Sequence, residues 1–349
     1  LSAAAAQHVV DFFGLLTHSK GEWAGQPFHL QPWQVFILSS MFGWLVKATG
    51  HRRFRTAYIE VPRKNGKSTF FAGIGLYGLI ADGEPGAEIY TAATKRDQAI
   101  ITHSEATRMV KASPSLRRMV KTFKNNISID ASASKYEPLG RDDDTMDGLN
   151  PHMVIIDELH AHKDSGVWDV LDTATGARRQ PLLAAITTAG FDQTVICYQI
   201  RTYAGQVLDT ADDMTDDSLF SYIAGVDAGD EERWWEPDVW RRANPNYGIS
   251  VKEDDIKRAA HKARNVPSLR PAFLTKRLNI WTSSATGWMP MEKWDKCGGL
   301  IIPEEFRGRR CWGGLDLANR NDLAAFVLAF EREETEIEPA GLDLLIRAW

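Results

Sequence analysis

Gly66, Lys67 and Ser68 stand together in Val61-Pro62-Arg63-Lys64-Asn65-Gly66-Lys67-Ser68-Thr69, and Asp157 and Glu158 close the apolar run Met153-Val154-Ile155-Ile156. An ammonium, a hydroxyl and paired carboxylates are the groups that hydrolysis of a phosphoanhydride requires. Loop N–H groups and a helix N-terminus would surround phosphate oxygens, Lys67 would reach the β- and γ-phosphates, and the Ser68 hydroxyl would ligate Mg²⁺. Asp157, at the carboxyl end of a strand, would hold the same ion, and Glu158 would orient and polarise the attacking water. Lys64, Asn65 and Thr69 complete the nucleotide-contacting loop. Arg63 would sense or stabilise the γ-phosphate, in its own subunit or towards a neighbour. The loop departs from G-x-x-x-x-G-K-[ST] at its first position, where Val61 replaces glycine; Asn65 and Gly66 keep the tolerance for positive φ. A basic surface turn would carry the same Gly-Lys-Ser, and a core strand with a capping aspartate the same acids. The two motifs in this order favour hydrolysis.

These groups need a scaffold, and the flanking pattern supplies one. Residues 56–61 are apolar and β-branched, as in a buried strand, and 70–80 carry Gly73, Gly75 and Gly78, as in a helix packed closely on a sheet. The continuous apolar run before Asp157 suits a central parallel strand covered on both faces. Residues 88–93 read as a strand. Thr94-Lys95-Arg96-Asp97 reads as a capping box opening a helix to about residue 111, and 116–123 as its resumption. Residues 127–150 are strand-poor, with Arg141-Asp142-Asp143-Asp144 as a mobile, solvent-facing loop. Residues 182–190 form an apolar strand ending in the hydroxyls of Thr187 and Thr188. The alternation predicts a parallel sheet with helices on both faces and ligand at the strands' carboxyl ends.

Composition turns acidic near Asp209, and helices are predicted at 237–243, 252–265 and 271–278. Trp234, Trp235, Trp240, Trp281, Trp288 and Trp294 are expected to be packing anchors there. From residue 311 a strand with Asp316 in its middle, then Asp322, begins a meander that continues through 323–330 and 342–348.

The loop at 61–69, with Arg63 and Lys64 where glycine is usual, and Asp147-Gly148-Leu149-Asn150-Pro151-His152 running into Val154-Ile155-Ile156-Asp157-Glu158-Leu159-His160, resemble the large terminase subunit of tailed bacteriophages. The resemblance runs from about residue 23 to residue 328. It implies an α/β fold in three parts. These are a P-loop ATPase over 1–225, a small helical linker over 226–299, and the truncated N-terminal part of a ribonuclease-H-like nuclease over 300–349. It implies an ATP-driven motor that translocates double-stranded viral DNA into a procapsid, fused to an endonuclease that cuts concatemers and is incomplete here. Further implications concern single residues. Gln34 would read adenine, with Trp33 or Phe28 as packing. Thr187 and Thr188 would couple hydrolysis to movement. Asp316, followed by Asp322, would be a catalytic metal ligand of the nuclease. The cofactors would be ATP and Mg²⁺, with Mg²⁺ or Mn²⁺ at the nuclease site. The partners would be double-stranded DNA, the small terminase subunit, the procapsid's portal protein and, when docked, further copies of the chain. The place would be the host cytoplasm, transiently at the procapsid.

Asp157-Glu158-Leu159-His160 is also a D-E-x-H box, so a helicase-like nucleic-acid ATPase competes. It requires a second ATPase-like domain with arginines, for which the meander around Asp316 is a poor candidate. A non-catalytic DNA-binding or capsid-docking protein has only Val61 in its favour.

Bulk composition narrows the field without choosing within it. With 349 residues, 44% hydrophobic and 25% charged, the chain has the material for one large or two ordinary soluble domains. A net charge of −5 announces no nucleic-acid partner, so basic clusters such as His51-Arg52-Arg53-Phe54-Arg55 would have to supply one locally. Three scattered cysteines suggest neither a disulfide framework nor a zinc site, and fit a reducing compartment. The longest near-apolar run, 35–46, is too short to span a bilayer. The chain starts at Leu1 and stops at Trp349 within an apparent strand, so a fragment of a longer protein is expected.

Overall fold

Alternation between apolar and small residues builds the central sheet. The computed structural model describes residues 1–140, 148–209, 214–282, 294, 297–298, 302–317, 324–332 and 341–349. They fall into two compact units, Leu1–Trp288 and Met289–Trp349. The acidic run 141–144, Asp147, Trp288 and Asp322 lie outside the described residues.

In the first unit, α1 (Ala3–Phe13) and α2 (Pro32–Gly43) precede β1 (Thr56–Glu60), α3 (Lys67–Ile80), β2 (Glu88–Ala93), α4 (Arg96–Ala112) and the short α5 (Leu116–Met119). Then come β3 (Lys121–Thr122), β4 (Ile127–Ile129), β5 (Ser134–Gly140), β6 (Met153–Asp157), α6 (Gly166–Ala174), β7 (Leu182–Thr187), α7 (Ile196–Leu208) and β8 (Leu219–Ile223). The strands form one sheet in the order β3-β4-β5-β2-β6-β7-β1-β8. From β5 to β8 neighbours run parallel, whereas β3–β4 and β4–β5 are antiparallel. The sheet is thus mostly parallel but mixed. The expected helix over 116–123 stops at Met119, and 127–140 supplies two strands of a stretch expected to be poor in them. The capping box is not formed either: the Thr94 hydroxyl donates to the Gln98 side chain, and Lys95 caps through its backbone alone.

Successive strand residues face opposite sides. Ala57, Ile59, Ile155, Ala184 and Ile186 pack with α1 to α4, while Tyr58, Val154, Ile156, Leu183 and Ala185 pack with α6 and α7. The glycines of α3 let it lie close to its neighbours: a Cβ at Gly75 would meet the Tyr136 ring at 2.8 Å.

After β8 the same unit continues through α8 (Pro237–Ala243), α9 (Glu253–Asn265) and α10 (Arg270–Leu278). Trp234, Trp240, Ile256, Phe273 and Leu278 form a third core there. Trp281 does not belong to it. It packs with Tyr198 at 5.0 Å and points its indole N–H at Glu60 under the sheet, because the chain has by then returned to β1. Trp235 and Trp294 are exposed.

The second unit contains β9 (Cys311–Asp316), β10 (Ala325–Arg332) and β11 (Gly341–Ala348), an antiparallel meander in the order β11-β10-β9. Asp316 is the last residue of β9 rather than its middle, and is exposed. No helix among the described residues is long and apolar enough to cross a membrane.

Candidate nucleotide site

The carboxyl ends of β1, β7 and β6 lie side by side, with β7 in the centre. Each end carries one of the predicted chemical groups. From β1 the chain enters the loop at 61–66, where Lys64 and Gly66 adopt φ of 75° and 81°. Gly66 caps α3, so Lys67 and Ser68 open that helix with its free N–H groups around them.

Lys67 is buried, and its Nζ donates to the carbonyls of Val61 at 2.5 Å and Pro62 at 3.1 Å. Burial lowers its ammonium to about 8, against the opposing charges of Glu158 and Asp157. Ser68 and Thr69 are half-buried, and Arg63 and Lys64 are exposed. Asp157 ends β6 and is buried, its Oδ2 accepting from the Thr102 hydroxyl at 2.7 Å. Burial pushes its carboxyl up, Thr102 opposes the rise, and Glu158 adds to it. Glu158 takes the left-handed backbone, φ 54° and ψ 48°. Such a conformation in a non-glycine residue costs roughly 1–3 kcal/mol and collects at functional sites.

Thr187 ends β7 between these two groups, Thr188 follows it, and both are buried. The Thr187 hydroxyl donates to the Thr188 carbonyl at 2.9 Å and accepts from the His160 backbone at 3.0 Å. The two threonines therefore face His160, which in turn stands 3.2 Å from a Glu158 carboxylate oxygen.

The loop is also held from outside the sheet. Asn65 is buried and donates to the Asn244 side chain at 2.9 Å, while its own Oδ1 accepts from the Asn246 backbone at 2.9 Å. Asn246 donates back to the Asn65 carbonyl and accepts from the Trp33 indole at 2.7 Å. Ser250 donates to the Lys64 carbonyl, and the Arg63 N–H to that of Lys276. The helical segment thus closes over the phosphate loop.

A cavity of about 510 Å³ opens beside the loop, lined among others by Gln34, Gly66, Thr69, His18, Trp23 and Phe28. His18 stacks on Phe28 at 4.6 Å and 17°. Gln34 is buried, and its Oε1 accepts from the Gln31 backbone at 2.8 Å, which leaves its amide donors and a second lone pair for a ligand.

The match to known proteins agrees with this geometry. A family model for the terminase large subunit ATPase domain matches residues 32–206, and one for the terminase large subunit endonuclease domain matches 213–337. The chain belongs to the terminase large subunit family. It is 30% identical over 325 residues to the terminase large subunit of Enterobacteria phage HK97, covering 90% of this chain and 60% of that protein. It is 36% identical over 188 residues to protein YmfN of Escherichia coli K12, covering 54% of this chain and 40% of the relative. The crystal structure of the HK97 large terminase superposes with a TM-score of 0.69 at 25% identity, covering all of this chain and 68% of that one. This terminase chain therefore spans less than two thirds of the curated relatives it matches.

The donor set suits a divalent ion. Mg²⁺ takes oxygen ligands, keeps several waters and adds oxygens from phosphates, so the Asp157 carboxylate and the Ser68 hydroxyl are donors of the kind it needs. Among the described residues no group of three or more His, Cys, Asp or Glu side chains forms a metal cage. Asp316 accordingly stands without a described acidic cluster in the second unit.

Several residues of the terminase site were not singled out from the sequence. His160 closes the 154–160 motif and the D-E-x-H box without a role of its own, and Lys276, Asn244 and Asn246 carry no local signature. Glu60 is fully buried at the end of β1, accepting from the Tyr58 hydroxyl at 2.5 Å with Arg201 at 3.5 Å. Burial raises its carboxyl. The basic run 51–55 does not form a free patch: Arg52 is buried against Asp82, and Arg53 pairs with Asp217.

Proposed function

We propose that this chain carries an ATP-hydrolysing motor acting on double-stranded DNA, followed by the first strands of an endonuclease. The reading assigns the three parts 1–225, 226–299 and 300–349 to ATPase, linker and nuclease. The observation that carries it is the convergence of Lys67, Asp157 with Glu158, and Thr187 on adjacent strand ends. Membership of the terminase family supports it, and favours it over a helicase.

In this reading the 66–69 backbone and Lys67 bind the β- and γ-phosphates. Lys67 exchanges the loop carbonyls it now contacts for phosphate oxygens. Ser68 and Asp157 hold Mg²⁺, which supplies charge neutralisation on the transferring phosphoryl group. Glu158 accepts a proton from the attacking water. The 18/28 aromatic pair and Gln34 bind the base, Gln34 by its amide edge. Arg63, exposed at the loop, is placed to meet the γ-phosphate of its own or a neighbouring site. Asp316 is a first ligand for Mg²⁺ or Mn²⁺ in the nuclease. The small terminase subunit, the portal protein and further copies of the chain are its partners, in the host cytoplasm.

ATP hydrolysis by the purified chain tests the core of this. Lys67→Ala is expected to abolish nucleotide binding, and Glu158→Gln to keep binding while lowering turnover by about 10²–10⁴. Glu158→Gln turning over at the parental rate would remove Glu158 from its role.

A further inference from the structure

The His160 ring is wedged between two elements that the sequence keeps far apart. On one side its Nδ1 stands 3.2 Å from the Glu158 carboxylate and 3.0 Å from the Thr187 hydroxyl. On the other its Nε2 stands 3.0 Å from the Lys276 ammonium, which arrives from α10. An ammonium only donates, so Nε2 must be the ring's acceptor and Nδ1 must carry the proton. That Nδ1–H then faces a carboxylate and a hydroxyl whose own proton is already given to the Thr188 carbonyl. Every donor in the chain meets an acceptor. Burial and the positive charges of Lys276, Arg63 and Lys67 lower the ring to about 3, so it stays neutral. Lys276 is fixed as well: its ammonium lies 5.2 Å over the Phe191 ring, and its carbonyl accepts the Arg63 N–H at 2.9 Å.

We propose that Lys276 is a positioning residue for hydrolysis, which sets the His160 tautomer whose Nδ1–H hydrogen-bonds the Thr187 hydroxyl and stands 3.2 Å from the Glu158 carboxylate, and so ties the general base to the helical segment. The same residue holds the phosphate loop by its carbonyl and His160 by its side chain. A shift of α10 would therefore act on both halves of the site. The inference rests on Glu158 acting as the base.

Lys276→Met keeps the stem and removes the ammonium, and a melting curve checks that the variant folds. Nitrogen-15 spectra of the histidine rings, with His160 assigned through His160→Asn, read the tautomer directly. The parent chain is expected to show unprotonated Nε2 at His160, and Lys276→Met a gain of the Nε2–H form. Turnover should fall about 10- to 100-fold, the range for losing a residue that orients another, with the KM for ATP unchanged. In a His160→Asn background, where the amide takes the Nδ1 place and cannot reach Lys276, Lys276→Met should cost nothing further. An unchanged tautomer, an equal loss in both backgrounds, or a KM rising as far as kcat falls would each overturn the relay. The spectra do not depend on turnover. A changed tautomer with Glu158→Gln still active would count against Glu158 as base, not against the Lys276–His160 contact.

Discussion

Arg63 is the residue at which sequence and structure leave the most chemistry to one side chain. Its backbone is fixed, since the N–H is held by Lys276, yet its guanidinium is exposed. A guanidinium forks two phosphate oxygens and a lysine does not. Arg63→Lys is therefore expected to lose most of the turnover while nucleotide affinity changes little. An arginine so used contributes about 10³–10⁵ in rate. Steady-state kinetics beside a binding isotherm would decide, because equal losses in both would mean a ground-state phosphate contact. Mixing the variant with active subunits separates action within a subunit from action across two. Lys67, Ser68, Asp157 and Glu158 were legible in the sequence because each sits in a contiguous motif whose chemistry is local. His160 and Lys276 were not, because what joins them is a contact between the turn after β6 and α10.

At the scale of elements, the pattern gave what burial dictates. Strands covered on both faces and amphipathic helices such as α9 were predicted to within a few residues. The strands β3 to β5 were missed: β3 and β4 are two and three residues long at the rim, and β5 mixes Ser134, Lys135, Glu137 and Pro138 into its run, so none shows the continuous apolar stretch that marks a strand. The asparagine clamp has no periodicity and was invisible too. It carries a clear cost: Asn246→Ala strands the buried Trp33 indole and the Asn65 carbonyl without their partner. A loss of about 1–3 kcal/mol is expected, measured by denaturant unfolding. A second tie joins the end of α3 to the sheet. Asp82 receives Arg52 at 3.1 Å and His152 at 2.6 Å, all three buried. Burial alone would raise the Asp82 carboxyl, but Arg52 and His152 outweigh it and hold it below its ordinary value. A depressed carboxyl contributes stability that is complete above the unfolded value of about 4 and is lost as the pH falls through the folded one. Asp82→Asn should thus lower stability at pH 7 by about 3–5 kcal/mol and flatten its decline below pH 4, followed by thermal melts across that range.

At the scale of the whole molecule, the two units differ in how much of their chemistry the described residues assemble. The first brings a lysine, a serine and two acids to neighbouring strand ends from motifs readable one by one. In the second, Asp316 was assigned mainly by resemblance, and the structure adds its place at the end of β9 in a three-stranded meander. Two-metal cleavage needs several carboxylates converging on ions about 3.5–4 Å apart, to clamp both the attacking and the leaving oxygen. One exposed carboxylate leaves a divalent ion mostly hydrated and weakly held. Among the described residues no acidic cluster joins Asp316. We therefore expect the 349-residue chain to hydrolyse ATP but to leave supercoiled plasmid intact with Mg²⁺ or Mn²⁺, as read on an agarose gel. A chain extended to the length of the relatives should cut, and Asp316→Ala in that longer chain should stop it. Cleavage by the present chain that survives Asp316→Ala would place the nuclease elsewhere and remove Asp316 from it.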